Sequence, residues 1–455
     1  MGRKLFLGVA VILAVLMAAG VAVSLLLDGE ELGRALLARA GEAAGIELRA
    51  ASSDLGLLRG LELTGVEATG NYAAGRYEVT IERVGFEWRL LPLLSGDVVV
   101  DRVRLERPAV RVVRTGDGRA SGDVPAGSSS SQGSNPGHDT GRRMEVVEVE
   151  LTGGTVQVVD GREGREVQTF SLEGLDLVLR EIVFDPAETT PLRRLKGNGE
   201  LTAERAQTGG LPLRDLEGRF TLEKGVLEAQ HLALVTDYGP VTAELTADFN
   251  PVPMTYRMSV QAQPLDTNRL AGLPEGGSLG PARLAFQAVG SGTDPKDLTG
   301  SGTLELEPGR IPDHEVLRKA ERLLGLSGLA GGEYRATTAN FEVAARRVTL
   351  AGFSLESAQA GLALDGWVDL QGPVDLRLTL NVERKGVAVE QVPSQLLDLL
   401  ADERGRLAVP LRITGTREEP EVAVDVQALL SRAGEGIGRR LGGRPSDLLE
   451  RLLRP

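Results

Sequence analysis

The sequence predicts a mostly β protein, built on an antiparallel sheet and preceded by one apolar N-terminal helix. Three observations carry that expectation. From about residue 47 onward, apolar residues recur mostly at every second position. Glycine is abundant, with 58 residues, which suits a chain of many turns better than a helical one. A single uncharged apolar run stands at the N-terminus. With 455 residues, 42% hydrophobic and 25% charged, the chain has the make-up of folded protein and the length for two to four domains. Aromatics are only 4%, so the interior must be built mainly from Val, Leu and Ala. The formal charge of −13 argues against nucleic acid as a partner, because phosphate binding needs a basic surface. Cysteine is absent, which excludes disulfides and thiolate metal sites.

The apolar run extends from Leu5 to Leu27, with Ser24 its only polar side chain. A helix of that length covers roughly 34 Å, enough to cross a hydrocarbon core of about 30 Å. Leu5, Phe6, Val11, Leu13, Leu16, Val21, Leu25 and Leu27 are the side chains expected to anchor it in lipid. Arg3 and Lys4 precede the run, and Asp28, Glu30 and Glu31 follow it, so the positive-inside rule places the N-terminus in the cytoplasm and the bulk of the chain outside. The competing reading is a cleaved signal peptide with a Gly20-Val21-Ala22 site. The run continues past that site, however, and signal cores are usually about 7–15 residues.

Residues 31–46 read as a short helix, and the period then changes to two. Around Leu370 to Val382, the residues Leu370, Val374, Leu376, Leu378, Leu380 and Val382 share one parity, while Asp375, Arg377, Thr379 and Asn381 share the other. Val103-Arg104-Leu105, Leu304-Glu305-Leu306 and Leu362-Ala363-Leu364 alternate in the same way. Strands with one wet face belong to antiparallel sheets, and no helical segments intervene to supply parallel crossovers. Asp215-Leu216-Glu217-Gly218 through Gly225 and Asp297-Leu298-Thr299-Gly300 through Gly309 form a weak repeat, each a strand expected to close on a glycine turn. Such hairpins suit an elongated sheet or a set of β-sandwiches.

Interruptions set the expected organisation: 1–30, N-terminus and anchor; 31–114, short helix and first β region; 115–143, a Ser- and Gly-rich linker; 144–426, the main β region; 427–455, an amphipathic tail. Within the main region a helix is expected over Asp313 to Leu326, capped by Asp313, stopped by Gly325, and apolar along Val316, Leu317, Ala320, Leu323 and Leu324. A second is expected over Ser394 to Ala401. The tail between 431 and 455 has six Arg against Glu435, Asp447 and Glu450, with Leu448, Leu449, Leu452 and Leu453 on a greasy side. It suits docking on its own fold, on a partner or on an anionic membrane.

Catalytic signatures are missing. His138, His231 and His314 stand apart, and no nucleophile elbow, Walker loop or dinucleotide fingerprint occurs. Gly290-Ser291-Gly292 and Gly300-Ser301-Gly302 read as turn glycines beside strands. No enzyme activity, cofactor or metal is expected.

The order of elements resembles the AsmA-like proteins of the Gram-negative envelope. The resemblance rests on the basic N-terminus and single membrane helix, and on Val100 to Arg114 with its Arg107-Pro108-Ala109-Val110 join. It also rests on the Leu298-Thr299-Gly300 strand, the helix at 313–326, the strands from Phe341 to Val382, and Leu407 to Thr416 with Pro420 following. The C-terminal match starts at about residue 280. The resemblance implies a long, strongly curved sheet of taco-like section with an apolar groove inside. It also implies a protein held in the inner membrane with its bulk in the periplasm, conducting phospholipid toward the outer membrane and supporting outer-membrane homeostasis. The implied partners are phospholipid acyl chains, the inner membrane, and proteins of either membrane. Leu304, Leu306, Leu362, Leu364, Leu376, Leu378, Leu380, Leu411 and Ile413 are the residues expected to line the groove. From the residues alone, a dry core packed against another layer remains open, and so does a non-catalytic scaffold assisting outer-membrane protein assembly through edge-strand pairing.

Overall fold

The computed structural model describes residues 47–56, 60–72, 75–89, 98–115, 144–162, 165–184, 193, 195–273, 278–292, 294–326, 328–358, 360–383, 406–416, 419–429 and 431. The expected membrane helix, the helix at 31–46, the linker beyond Thr115, the helix at 394–401 and the tail beyond 431 lie outside the described residues. Among the described residues, no helix is long and apolar enough to cross a membrane.

The fold is mostly β, and twenty strands belong to one sheet. The chain divides into two compact units, the first chiefly residues up to 237 and the second chiefly residues from 294 onward, with 238–293 shared between them. The first unit begins with β1 (Glu47–Gly56), β2 (Gly60–Tyr72) and β3 (Gly75–Trp88), followed by β4 (Val98–Glu106), β5 (Ala109–Thr115) and β6 (Met144–Arg162). It continues through β7 (Arg165–Phe184), β8 (Leu195–Thr208), β9 (Leu211–Glu223) and β10 (Val226–Thr236).

Antiparallel pairing dominates, but not everywhere. β4 and β5 together pair antiparallel with β3 and parallel with β6, from Val98↔Met144 to Thr115↔Gly161. The expectation of an antiparallel sheet without parallel crossovers is corrected here. Parallel neighbours need a crossover of a dozen or more residues, and the 115–143 segment supplies the required length. The 17 steps from Val98 to Thr115 span about 56 Å at ~3.3 Å per residue.

A second feature organises the first unit. Strands this long keep one apolar face only while the period of two holds, and here it is broken at the same level on six strands and at the join of β4 and β5. Leu63-Thr64-Gly65-Val66, Ile81-Glu82-Arg83-Val84, Leu105-Glu106-Arg107-Pro108, Leu151-Thr152-Gly153-Gly154, Leu172-Glu173-Gly174-Leu175, Ala203-Glu204-Arg205-Ala206 and Leu213-Arg214-Asp215-Leu216 share a pattern. Each places two outward residues between two inward ones. The registers put these doublets side by side across β2 to β9. Gly65, Arg107, Gly153, Gly174 and Asp215 take left-handed φ values of 49° to 65°, the signature of bulge residues. The Gly153 N–H donates to Asp176 Oδ1 at 2.8 Å. The extra residue lies on the outer side, so it lengthens that surface and bends the sheet toward its apolar face.

Inside the bend, Leu63, Val66, Ile81, Val84, Leu105, Leu151, Leu172 and Leu175 belong to one continuous buried cluster drawn from β2 to β9. Outside it, charges pair across strands: Glu62–Arg83–Glu106, Glu82–Arg107, Glu173–Arg205, and a chain through Arg102, Glu148, Arg180, Glu200 and Arg219. The Glu148 hydrogen bond raises the Arg102 pKa above its ordinary value. Exposed pairs of this kind contribute only ~0–1 kcal/mol each, so their main effect is to keep this face wet.

The chain goes on through β11 (Gly239–Asp248), β12 (Thr255–Leu265), α1 (Thr267–Leu270), β13 (Ala282–Ser291) and β14 (Leu298–Leu306). A short excursion follows: β15 (Gly309–Arg310), α2 (Glu315–Leu324) and β16 (Glu333–Tyr334). Then come β17 (Thr337–Ala344), β18 (Arg347–Glu356), β19 (Ala360–Asp369), β20 (Val374–Glu383), β21 (Arg406–Gly415) and β22 (Pro420–Val424), joined antiparallel in sequence from β14 and β17 onward.

Local expectations fare unevenly. The first repeat does end in a hairpin, with Lys224 and Gly225 both at positive φ between β9 and β10. The second does not: Glu307-Pro308-Gly309 leads into the excursion, and β14 pairs with β17 instead, since Pro308, with φ locked negative, cannot form that turn. Gly300-Ser301-Gly302 lies inside β14 rather than beside it. The helix over 313–326 is shorter, Glu315–Leu324, and its N-cap is His314, whose Nδ1 accepts from Val316 N–H at 3.3 Å. Asp313 pairs with Arg318 instead, at 3.3 Å. Gly325 ends the helix in the left-handed conformation, as expected; Leu317, Ala320 and Leu324 are buried, whereas Leu323 is exposed. Leu370 sits in the turn between β19 and β20 and is 58% exposed, so the strand there starts at Val374.

Gly153→Ala is expected to cost about 1–2 kcal/mol, the penalty of a left-handed non-glycine residue, read from urea unfolding. Deleting Gly153 should cost more. It removes the extra residue from one strand while its neighbours keep theirs, and the ladder must slip by one residue on one side of the line.

Candidate functional site

The registers decide whether the expected lining residues share a face. Leu304 pairs with Ala339 and Gly302 with Phe341 between β14 and β17; Phe341 then pairs with Leu350 on β18. Leu350 faces Gly366, and after a bulge at Gly352, Phe353 faces Leu364 and Leu355 faces Leu362. Leu364, Leu378 and Leu411 form one cross-strand row, Leu362, Leu380 and Val409 the next, and Leu376 meets Ile413 beyond. All nine expected residues therefore lie on one face of the β14, β17–β22 run. The strands hold them there because each alternates with polar residues on the other side, among them Arg377, Thr379 and Arg412.

Their burial is graded. Leu306, Leu362, Leu378, Leu380, Leu411 and Ile413 are at most 8% exposed. Leu304, Leu364 and Leu376 are only half-buried. The same face carries Val374, Val382, Leu407 and Val409, all buried. Helix α2 turns Leu317, Ala320 and Leu324 inward and packs beside β22, where Lys319 Nζ donates to the Pro420 carbonyl at 2.8 Å. No polar anchor interrupts the rows.

Glycines shape the surface of this face. A Cβ on Gly302 would stand 2.4 Å from Phe341 Cζ, and one on Gly300 2.8 Å from Phe286 Cε2. The two rings lie across neighbouring glycines and stack on each other, 5.7 Å apart at 19°. Each ring thus lies along the sheet rather than standing up from it, which keeps the apolar surface low. In the first unit Phe220 lies on Gly199 and Tyr77 on Gly70 in the same way. The alternation pattern did not reveal this, although a glycine cross-strand from an aromatic is a signal a register would expose.

Other chemistry is sparse. Among the described residues, no group of His, Asp and Glu is placed to hold a metal ion. His231 stands exposed on β10, and His314 serves as a helix cap. Tyr334 is buried, its hydroxyl accepts from Gly280 N–H at 3.0 Å, and burial raises its pKa. The bidentate pair of Arg412 with Asp375, at 3.0 and 2.8 Å, holds the Asp375 carboxyl below the usual carboxylate range.

Leu380→Ala is expected to cost about 2–5 kcal/mol, as for a closed core position, and Leu376→Ala clearly less, because its side chain is already partly free of neighbours. Thermal unfolding of the two variants side by side checks this. Gly302→Ala should lower stability as well, by driving Phe341 off the sheet. No protein-family model, curated protein or solved structure matches this chain significantly.

Proposed function

We propose that this chain is an inner-membrane-anchored periplasmic protein that conducts phospholipid along an apolar β groove toward the outer membrane. The observation that supports this reading is the single continuous alkyl face across β14 and β17–β22, with half-open leucines among closed ones. Such a face suits acyl chains. Each buried methylene of a chain contributes about 0.8 kcal/mol, so holding a lipid tail there needs no polar anchor, and none is present in the rows. A surface without anchors also discriminates little between headgroups. Leu304, Leu364 and Leu376 are the points of contact in this account, and the buried members form the wall behind them. The N-terminal run Leu5 to Leu27 supplies the anchor, and the curved, taco-like section belongs to the same proposal.

Photo-crosslinking tests it. A photoreactive residue at Leu364 or Leu376 in the full chain, expressed in a bacterial envelope, should form phospholipid adducts. The same residue at the outward Arg377 should not. Leu376→Asp should abolish the adducts at Leu364 while the protein stays folded, since its site is half open. Adducts at Arg377 as strong as at Leu364, or none at either inner site, would contradict the proposal.

A further inference from the structure

The polar face of the second unit carries a depression that the lipid reading does not use. It has a volume of about 540 Å³ and lies over β18 to β21, lined by Thr349, Trp367, Arg377, Thr379, Asp365 and Asp425. That volume falls within the range of small-molecule sites, about 300–1,000 Å³. The registers explain the gathering: Thr349 faces Trp367, Asp365 faces Arg377, and Thr379 faces Pro410. Asp425 arrives from the end of β22, where its N–H donates to the Pro410 carbonyl at 2.9 Å.

Three features of the depression narrow its ligand. First, it holds one of only two tryptophans in the chain. Arg347 stacks on the Trp367 ring at 4.2 Å from its centre, which steadies the indole. Second, its carboxylates are fixed. Asp365 Oδ1 accepts from Gly352 N–H at 2.7 Å, and Asp425 Oδ1 accepts from Ala428 N–H at 2.9 Å. Each therefore offers its second oxygen from a set position. Third, the charges are mixed: one guanidinium, Arg377, among two carboxylates. No single sign dominates, which disfavours a strongly ionic ligand. An indole surface beside fixed acceptors, a five-donor guanidinium and threonine hydroxyls is the set that a ring bearing hydroxyls requires, apolar on its C–H face and donor and acceptor around its edge.

We propose that this depression binds a neutral saccharide, its ring stacked on Trp367 and its hydroxyls paired with Arg377, Asp365 and Asp425. The site lies on the face opposite the apolar rows and stands independently of the lipid reading. Fluorescence tests it directly. In the full chain carrying Trp88→Phe, Trp367 is the sole tryptophan. The protein is kept in a detergent without a sugar headgroup, because a glycosidic detergent would compete. Titration with maltose and with the N-acetylglucosamine disaccharide should give a saturable change in emission for at least one of them. Adding Arg377→Ala, an outward substitution, should weaken that binding at least tenfold without lowering the melting temperature. No saturable change with either sugar would overturn the proposal. An undiminished response in the Arg377→Ala variant would overturn it equally, because the sugar would then be bound elsewhere.

Discussion

An extended chain turns its side chains to alternate faces of a sheet, and the whole structure depends on keeping that alternation in phase over strands of up to 20 residues. A sheet that bends must lengthen one surface relative to the other, and a chain of fixed bond lengths does so only by inserting residues. In the first unit the strands from β2 to β9, with β4 and β5 acting as one, take the same step at the same level: two outward residues, then a return inward. Because neighbours step together, the hydrogen-bonded ladder stays in register on both sides. A lone bulge would have put alkyl side chains into water along half a strand.

The consequence is a division of labour between faces. The outer face takes the doublets, and their Glu and Arg side chains pair across strands. The inner face takes Val, Leu, Ile and Ala, with aromatic rings laid over glycines. In the first unit this inner face closes into a continuous cluster in which no helix or second sheet among the described residues takes part. In the second unit it is closed at Leu380, Val409 and Leu411 and half open at Leu304, Leu364 and Leu376. That gradient makes the apolar face a candidate for something more than a core.

Much of this was legible in the residues. Alternation predicts strands and their wet and dry sides, and all nine expected lining residues do share a face, because parity survives from strand to strand once the registers are right. The doublets were visible too, as Leu-Thr-Gly-Val, Leu-Glu-Gly-Leu or Ala-Glu-Arg-Ala. Read singly, each looks like a gap between strands, and only the recurrence identifies it as a bend within one. The parallel pairing of β4–β5 with β6 was hidden, since alternation carries no sign of direction and the linker composition is silent on where the chain returns. Pro308 was legible as well: its φ is locked negative, which excludes the turn that Lys224 and Gly225 form after the first repeat. Degree of burial lay beyond the alternation: Leu376 and Leu380 share one parity on β20 but have different cover in space.

The account stands or falls on whether the apolar face meets lipid. The most direct measurement is mass spectrometry of lipids extracted from residues 29–455 after secretion to the periplasm and purification without detergent. The account predicts phospholipid in near-stoichiometric amount, depleted in a folded Leu376→Asp variant. A folded protein that carries no lipid would contradict it and leave the face as a packed β core.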